Sequence, residues 1–402
     1  MPRRVSRRYG LTNTTLLAVS AAMLSQSVCA DNNDFAWQGF IAQGITHASD
    51  SSFINQSGTW STELTELGVN ARFKLSPSWH LAGQVVYLDG GNRYPQGGRI
   101  DYIFLDWALI NHTDWQANIY AGRFKNQHWL FSSTRDVPFT RPSIVLPQSV
   151  YFDAFRDIAV GSDGIAAQAR YAGNVGDVTL NWSWGSTNVS SAQSHLLLGE
   201  AAQGMANQEF VHQASAYWQP AVSQFTYGIS LLDSDFYYRI GENDAFTAAD
   251  FTVQRVMLSL RYQAENWELA SELQQERFRI DGFFFDGFLQ DQIGQGAYVL
   301  LQYRHDTQLK SFVMLDYSVN NKDDRWGKAM QQKSAGQRPD HFGYQHTLGA
   351  GLSYDITPTL RLSAEAHWVK GTGRLSPVLL PDVLTNQHEY WQLYAAQLMY
   401  RF

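Results

Sequence analysis

Residues 394–402, Tyr394-Ala395-Ala396-Gln397-Leu398-Met399-Tyr400-Arg401-Phe402, put Tyr394, Ala396, Leu398, Tyr400 and Phe402 on one face of an extended segment. The sequence stops on that last aromatic. A buried edge of a soluble fold would alternate in the same way, so the segment has to be read with its neighbours. Upstream, Leu360, Leu362, Ala364, Ala366 and Trp368 alternate with Arg361, Ser363, Glu365 and His367. Leu67, Val69, Ala71 and Phe73 alternate with Gly68, Asn70, Arg72 and Lys74, and Val256, Leu258, Leu260 and Tyr262 with Arg255, Met257, Ser259 and Arg261. A period of two makes half-apolar strands, not helices.

Tight turns punctuate these strands at Ser76-Pro77-Ser78, His112-Thr113-Asp114, Gly173 to Gly176, Pro220 to Val222, Ala264-Glu265-Asn266, His305-Asp306-Thr307 and Ile356-Thr357-Pro358. Each carries Pro, Gly, Asn, Asp, Ser or Thr where a turn uses it. Seven hairpins, with Phe35–His47 before them and Glu389–Phe402 after, predict sixteen strands. The other connections are long and polar, near 48–60, 90–99, 125–159, 186–207, 234–250, 277–295, 320–342 and 371–388. Short connections at one end and long ones at the other predict a transmembrane antiparallel β-barrel, with short periplasmic turns and long extracellular loops. Aromatics gather at the turns: Phe73, Trp79, Trp115, Tyr171, Trp218, Phe225, Tyr262, Trp267, Tyr303 and Tyr354. Rings with an apolar body and a polar tip suit a membrane–water boundary.

Composition agrees once the membrane is considered. The 402 residues are 44% hydrophobic and 17% charged, with a mean hydropathy of −0.30. Past residue 30 no uncharged apolar stretch is long enough for a spanning helix. Residues 1–30 read as a secretory signal peptide, basic at Arg3, Arg4, Arg7 and Arg8, apolar from Leu16 to Leu24 and closing on Val28-Cys29-Ala30. Removing it takes Lys+Arg from 30 to 26 against 37 acidic residues, a net charge of −11, and takes away the single cysteine. The remainder, 31–402, is read as one barrel domain without disulfides or thiolate ligands. So acidic a chain argues against nucleic acid as a partner.

The terminal Tyr400-Arg401-Phe402 resembles the C-terminal assembly signal of Gram-negative outer-membrane barrels. The chain from 35 to 402 resembles a sixteen-stranded porin in architecture. Gly122-Arg123-Phe124-Lys125 is similar to the segment at which phosphate- and polyphosphate-type porins leave the wall, although the lysine-rich run of those channels is missing. The resemblance implies that the third loop, 125–159, folds inward as a constriction. It also implies a homotrimer, recognition of Tyr400 and Phe402 by the barrel-assembly machinery, and a surround of outer-membrane lipid and lipopolysaccharide.

Candidate constriction residues are Lys125, Arg135, Asp136, Arg141, Asp153, Arg156 and Asp157, on a loop stiffened by Pro138, Pro142 and Pro147. Charge near a narrow, dry passage sets selectivity. Strand parity turns Arg72, Arg170, Arg255, Arg361 and Glu365 toward the lumen, together with Lys74, Arg261, Glu268, Glu272 and Arg304. Asp233 and Asp235 are expected in a loop, as solvated acids or as ligands for divalent cations or lipopolysaccharide. No cofactor, metal ligand set or catalytic group is expected. The eleven histidines are scattered, and Gly161-Ser162-Asp163-Gly164 lacks the pattern of a nucleophile elbow. Three functions stay open: a passive pore for small hydrophilic solutes and ions, a channel specific for an anion or an oligosaccharide, and an adhesion or receptor barrel.

Overall fold

The computed structural model describes residues 34–132 and 135–402; the expected signal peptide lies outside them. Sixteen long strands follow one another. The first eight are β1 (Phe35–Ser49), β2 (Thr65–Ser76), β3 (Trp79–Asp89), β4 (Gly97–Asn111), β5 (Trp115–Lys125), β6 (Gly161–Gly173), β7 (Gly176–Ser186) and β8 (Met205–Gln219). Then come β9 (Phe225–Arg239), β10 (Ala249–Gln263), β11 (Trp267–Gly282), β12 (Leu289–Arg304), β13 (Leu309–Val319), β14 (Tyr344–Thr357), β15 (Leu360–Lys370) and β16 (Tyr390–Arg401). Each pairs antiparallel with its sequence neighbours, and β1 also pairs with β16 from Phe40↔Arg401 to Ser49↔Gln392. The sheet therefore closes and leaves no long edge.

All seven turns fall where the turn residues place them. The long-loop ends differ. The connections expected at 234–250 and 277–295 shrink to 240–248 and 283–288, because β9 runs on to Arg239 and β11 to Gly282. Asp233 and Asp235 thus sit on a strand, not in a loop. The reason is an inversion of phase. Low on these strands Leu231, Leu258 and Leu273 point outward and are about half exposed. Higher up, Phe236, Tyr238 and Ile280 point inward and are buried, while Asp235, Arg277 and Asp281 face out. Above the lipid the outside is wet and the inside is packed, so polar and apolar residues exchange faces.

The outer wall carries a band of exposed Leu, Val and Ile bordered at the turn end by Trp37, Trp79, Trp107, Trp115, Trp218 and Trp267. So large an apolar surface needs lipid around it. At the seam Phe402 and Gly39 exchange backbone hydrogen bonds of 2.9 and 3.0 Å. A Cβ at Gly39 would lie 2.4 Å from the Phe402 ring, so glycine is the residue that lets this ring lie on the wall.

Candidate functional site

Three residues before the third loop leaves β5, Gly122 has a φ of 123°, where a side chain would strain, and a Cβ there would meet the Ile103 carbonyl at 2.6 Å. The loop's neck is tied: Asn126 N–H donates to Val160 O at 2.8 Å, and its side-chain amide donates to Ala159 O and Ser162 Oγ. Pro147 starts a turn in which Tyr151 N–H reaches Pro147 O at 2.8 Å. Between neck and tip the loop lies inside the barrel and touches walls on opposite sides.

All seven candidate constriction residues are ion-paired, in three neighbouring sets. Lys125 pairs with Asp101 of β4 and with Asp136. Asp136 also accepts Arg156 Nε at 2.8 Å. Arg156 reaches Glu66 of β2 at 3.8 Å, and Glu66 takes both Nη atoms of Arg141. Asp153 joins Arg93 at 2.7 Å to Arg135 at 3.0 Å, and Asp157 pairs with Arg99. Six cations meet five anions, nearly all of them buried. Burial alone would raise the Asp136 carboxyl, yet Arg156 and Lys125 hold it well below the usual carboxylate range. Asp153 is likewise lowered against burial by Arg93 and Arg135. Charges this dry persist only when paired and hydrogen-bonded, so the network works as a fastening as well as a field.

Across the lumen, wall carboxylates take the loop's backbone. Glu365 of β15 accepts Ile144 and Val145 N–H, both at 2.8 Å. Glu272 of β11 accepts Leu130 N–H at 3.0 Å, Tyr151 Oη at 2.5 Å, Tyr298 Oη at 2.9 Å and Ser259 Oγ at 2.9 Å. Asp316 of β13 accepts Ser149 N–H at 3.2 Å. The remaining wall candidates disperse. Arg361 pairs with Asp355 and donates to Phe139 O at 2.8 Å, and Arg255 pairs with Glu276 beside the Trp129 ring. Arg72 stands 3.8 Å from Asp106, and Arg170 has no ion-pair partner among the described residues.

The loop's apolar residues complete the seal. Trp129, Phe131, Leu146 and Val150 pack on Met257, Tyr298, Leu300, Phe312 and Met314, and Ile144 and Val145 pack toward Trp391, Leu393 and Ala395. Inward side chains of the strands that meet the loop are no more than 8% exposed: Ala42, Glu66, Met257, Glu272, Tyr298, Met314, Glu365 and Gln397. The loop therefore spans the lumen rather than lining one wall of it. On the short-turn side a cavity of about 540 Å3 remains, bounded by strands from β2 to β8 and including Arg72, Tyr102, Phe104, Tyr120 and Arg170.

Comparison with solved structures places this geometry. OmpT of Vibrio cholerae, folded in vitro and in its trimer form, is 12% identical with a TM-score of 0.54, over 92% of this chain and 99% of that one. OmpF of Salmonella typhi in complex with daunomycin is 13% identical with a TM-score of 0.55, over 92% and 97%. An anion-selective porin from Comamonas acidovorans is 10% identical with a TM-score of 0.54, over 92% and 99%. The fold is that of the outer-membrane porins. No family model and no curated relative matches the sequence.

On this porin-fold barrel the loop charges are legible in the sequence, whereas their partners Glu66, Arg93, Arg99 and Asp101 carry no such local signal. Glu66 is marked only by the parity it shares with Arg72. Tyr102, Phe104 and Tyr120 share the inward parity of Asp106 and Asn118, a signal obscured by reading aromatics only as a belt. Among the described residues, no group of three or more His, Cys, Asp or Glu could hold a metal ion.

Proposed function

We propose that the chain is an outer-membrane channel for passive diffusion of small hydrophilic solutes and ions, without enzymatic activity, and that the third loop is its constriction. The observation that carries this reading is the inward loop of a sixteen-stranded barrel, fastened by charge pairs and hydrogen bonds that can be exchanged for water. Lys125, Arg135, Asp136, Arg141, Asp153, Arg156 and Asp157 are its selectivity residues. The outer band takes lipid and lipopolysaccharide, Tyr400 and Phe402 serve the assembly machinery, and likeness to the trimer form of OmpT supports a homotrimer. Cleavage of residues 1–30 would leave Asp31 as the N-terminus, which sequencing of the mature protein checks.

Planar-bilayer recording is the test. The folded barrel should give ohmic conductance steps, and a heat-modifiable barrel that never conducts overturns the channel. Under a salt gradient, Arg135→Glu and Arg141→Glu should move the reversal potential; if neither does, the constriction assignment is wrong. The packing of the third loop against both sides of the wall favours a second reading, an adhesion or receptor barrel acting through its loops, and the same absence of conductance would support it.

A further inference from the structure

We propose that the cavity beneath the third loop is a binding subsite for an acidic saccharide, a pyranose carrying a carboxylate. This names a solute class for the proposed channel and rests on that reading. Three aromatic rings project into the cavity from adjacent strands. Tyr102 and Phe104 on β4 have centroids 5.6 Å apart, and Phe104 lies 5.1 Å from Tyr120 on β5. All three are only partly buried. Ring surface left open to a wet lumen has a cost, and the carbon face of a pyranose would cover it.

The polar side of the cavity is already ordered. Tyr120 Oη donates to Gln168 Oε1 at 3.4 Å, Gln168 Nε2 to Asn181 Oδ1 at 2.7 Å, Asn181 Nδ2 to Ser215 Oγ at 3.0 Å, and Ser215 Oγ to Gln127 O at 2.5 Å. This chain runs along the wall from the aromatic patch on β5 through β6, β7 and β8 to the root of the loop. Amides and hydroxyls held in place present donors and acceptors to several sugar hydroxyls without first being ordered. The charge follows the same line. Asp106 is shared between Asn118 Nδ2 at 2.6 Å and a long contact with Arg72. Arg170 projects into the same cavity with no ion-pair partner among the described residues. The buried network above satisfies its charges internally, whereas here a guanidinium stays free to take a carboxylate.

Titration calorimetry on the full chain in detergent, with glucuronate, glucose and acetate as probes, is the test. Glucuronate should bind at least about tenfold more tightly than either other probe, since it alone uses both rings and Arg170. Arg170→Gln should bring glucuronate down to the affinity of glucose. Phe104→Leu should weaken both sugars about fivefold or more, with heat-modifiability on gels confirming a folded barrel. Tyr120→Phe keeps the ring and should weaken them less. Equal binding of acetate and glucuronate, equal binding of glucose and glucuronate, or no binding of any probe overturns the proposal. Calorimetry needs no conductance, so a protein that binds glucuronate but never conducts sinks the channel reading alone. One that conducts without binding sinks only this inference.

Discussion

The third loop is fastened to the barrel in two chemically different ways. Toward β2–β4 side chain meets side chain, as Glu66 and Asp101 take Arg141, Arg156 and Lys125. Toward β11–β15 the wall supplies Glu272, Asp316 and Glu365, and the loop offers mainly backbone N–H groups. The first arrangement solves the problem of burying charge. The second solves that of a buried segment with few hydrogen bonds of its own, whose donors would otherwise be orphaned. Both use carboxylates, so removing one should cost different amounts on the two sides.

The largest loss is expected at Asp136. Asp136→Ala leaves Lys125 with only Asp101 and Arg156 with only a 3.8 Å contact to Glu66, and should destabilise the folded barrel by about 3–5 kcal/mol. Urea unfolding in micelles checks it, and larger conductance steps should accompany it. Glu272→Ala comes next: four donors lose one acceptor, for about 1–3 kcal/mol by the same measurement, with faster amide exchange at Leu130. Glu365→Gln keeps one carbonyl for two N–H groups and should cost about 1 kcal/mol, seen as faster exchange at Ile144 and Val145. If Glu272→Ala exceeds Asp136→Ala, the distinction between the two fastenings fails.

Acid sharpens the contrast. Asp136 and Asp153 titrate lower in the folded protein than in the unfolded chain, so their contribution is fully present above the ordinary carboxylate range. It disappears only as pH falls through the lowered native values. Hydrogen exchange across 135–141 should therefore rise, after correction for the intrinsic rate, as pH falls below the ordinary carboxylate range and Asp136 is protonated. The smallest effect is expected outside the barrel. Arg277 and Asp291 form a pair 2.5 Å apart on the exposed wall, and Arg277→Gln should leave the unfolding midpoint where it was.

The barrel could be read in the sequence because its evidence is local. Pro77, Asp114, Gly173, Pro220, Asn266, Asp306 and Pro358 mark turns by their own backbone chemistry, and each strand reports its two faces at every second residue. The upper ends of β9 and β11 could not be placed, because Asp235, Arg277 and Asp281 face water there while Phe236 and Ile280 face packed loops. Polarity remains periodic at those positions but changes sign. The loop charges were legible as types, since buried or not they have to lie on a loop that folds inward. Their pairing was not, because Arg141 meets Glu66 across 75 positions of chain. That the loop spans the lumen depends on how Trp129, Leu146 and Ile144 fill volume, and no spacing rule encodes that.

The seam where Phe402 rests on Gly39 also bears on the order of folding events. Every other strand pairing joins neighbours in sequence and can form as a hairpin while the remainder of the chain is elsewhere. The pairing of Phe40 with Arg401 closes a ring through nearly the whole polypeptide and carries the largest loop-closure entropy of all. Until then the partly built sheet has two open edges, each able to take a foreign strand. The ring of Phe402 lies on this closing seam, so a side chain at Gly39 would disturb ring closure and not the hairpins between sequence neighbours.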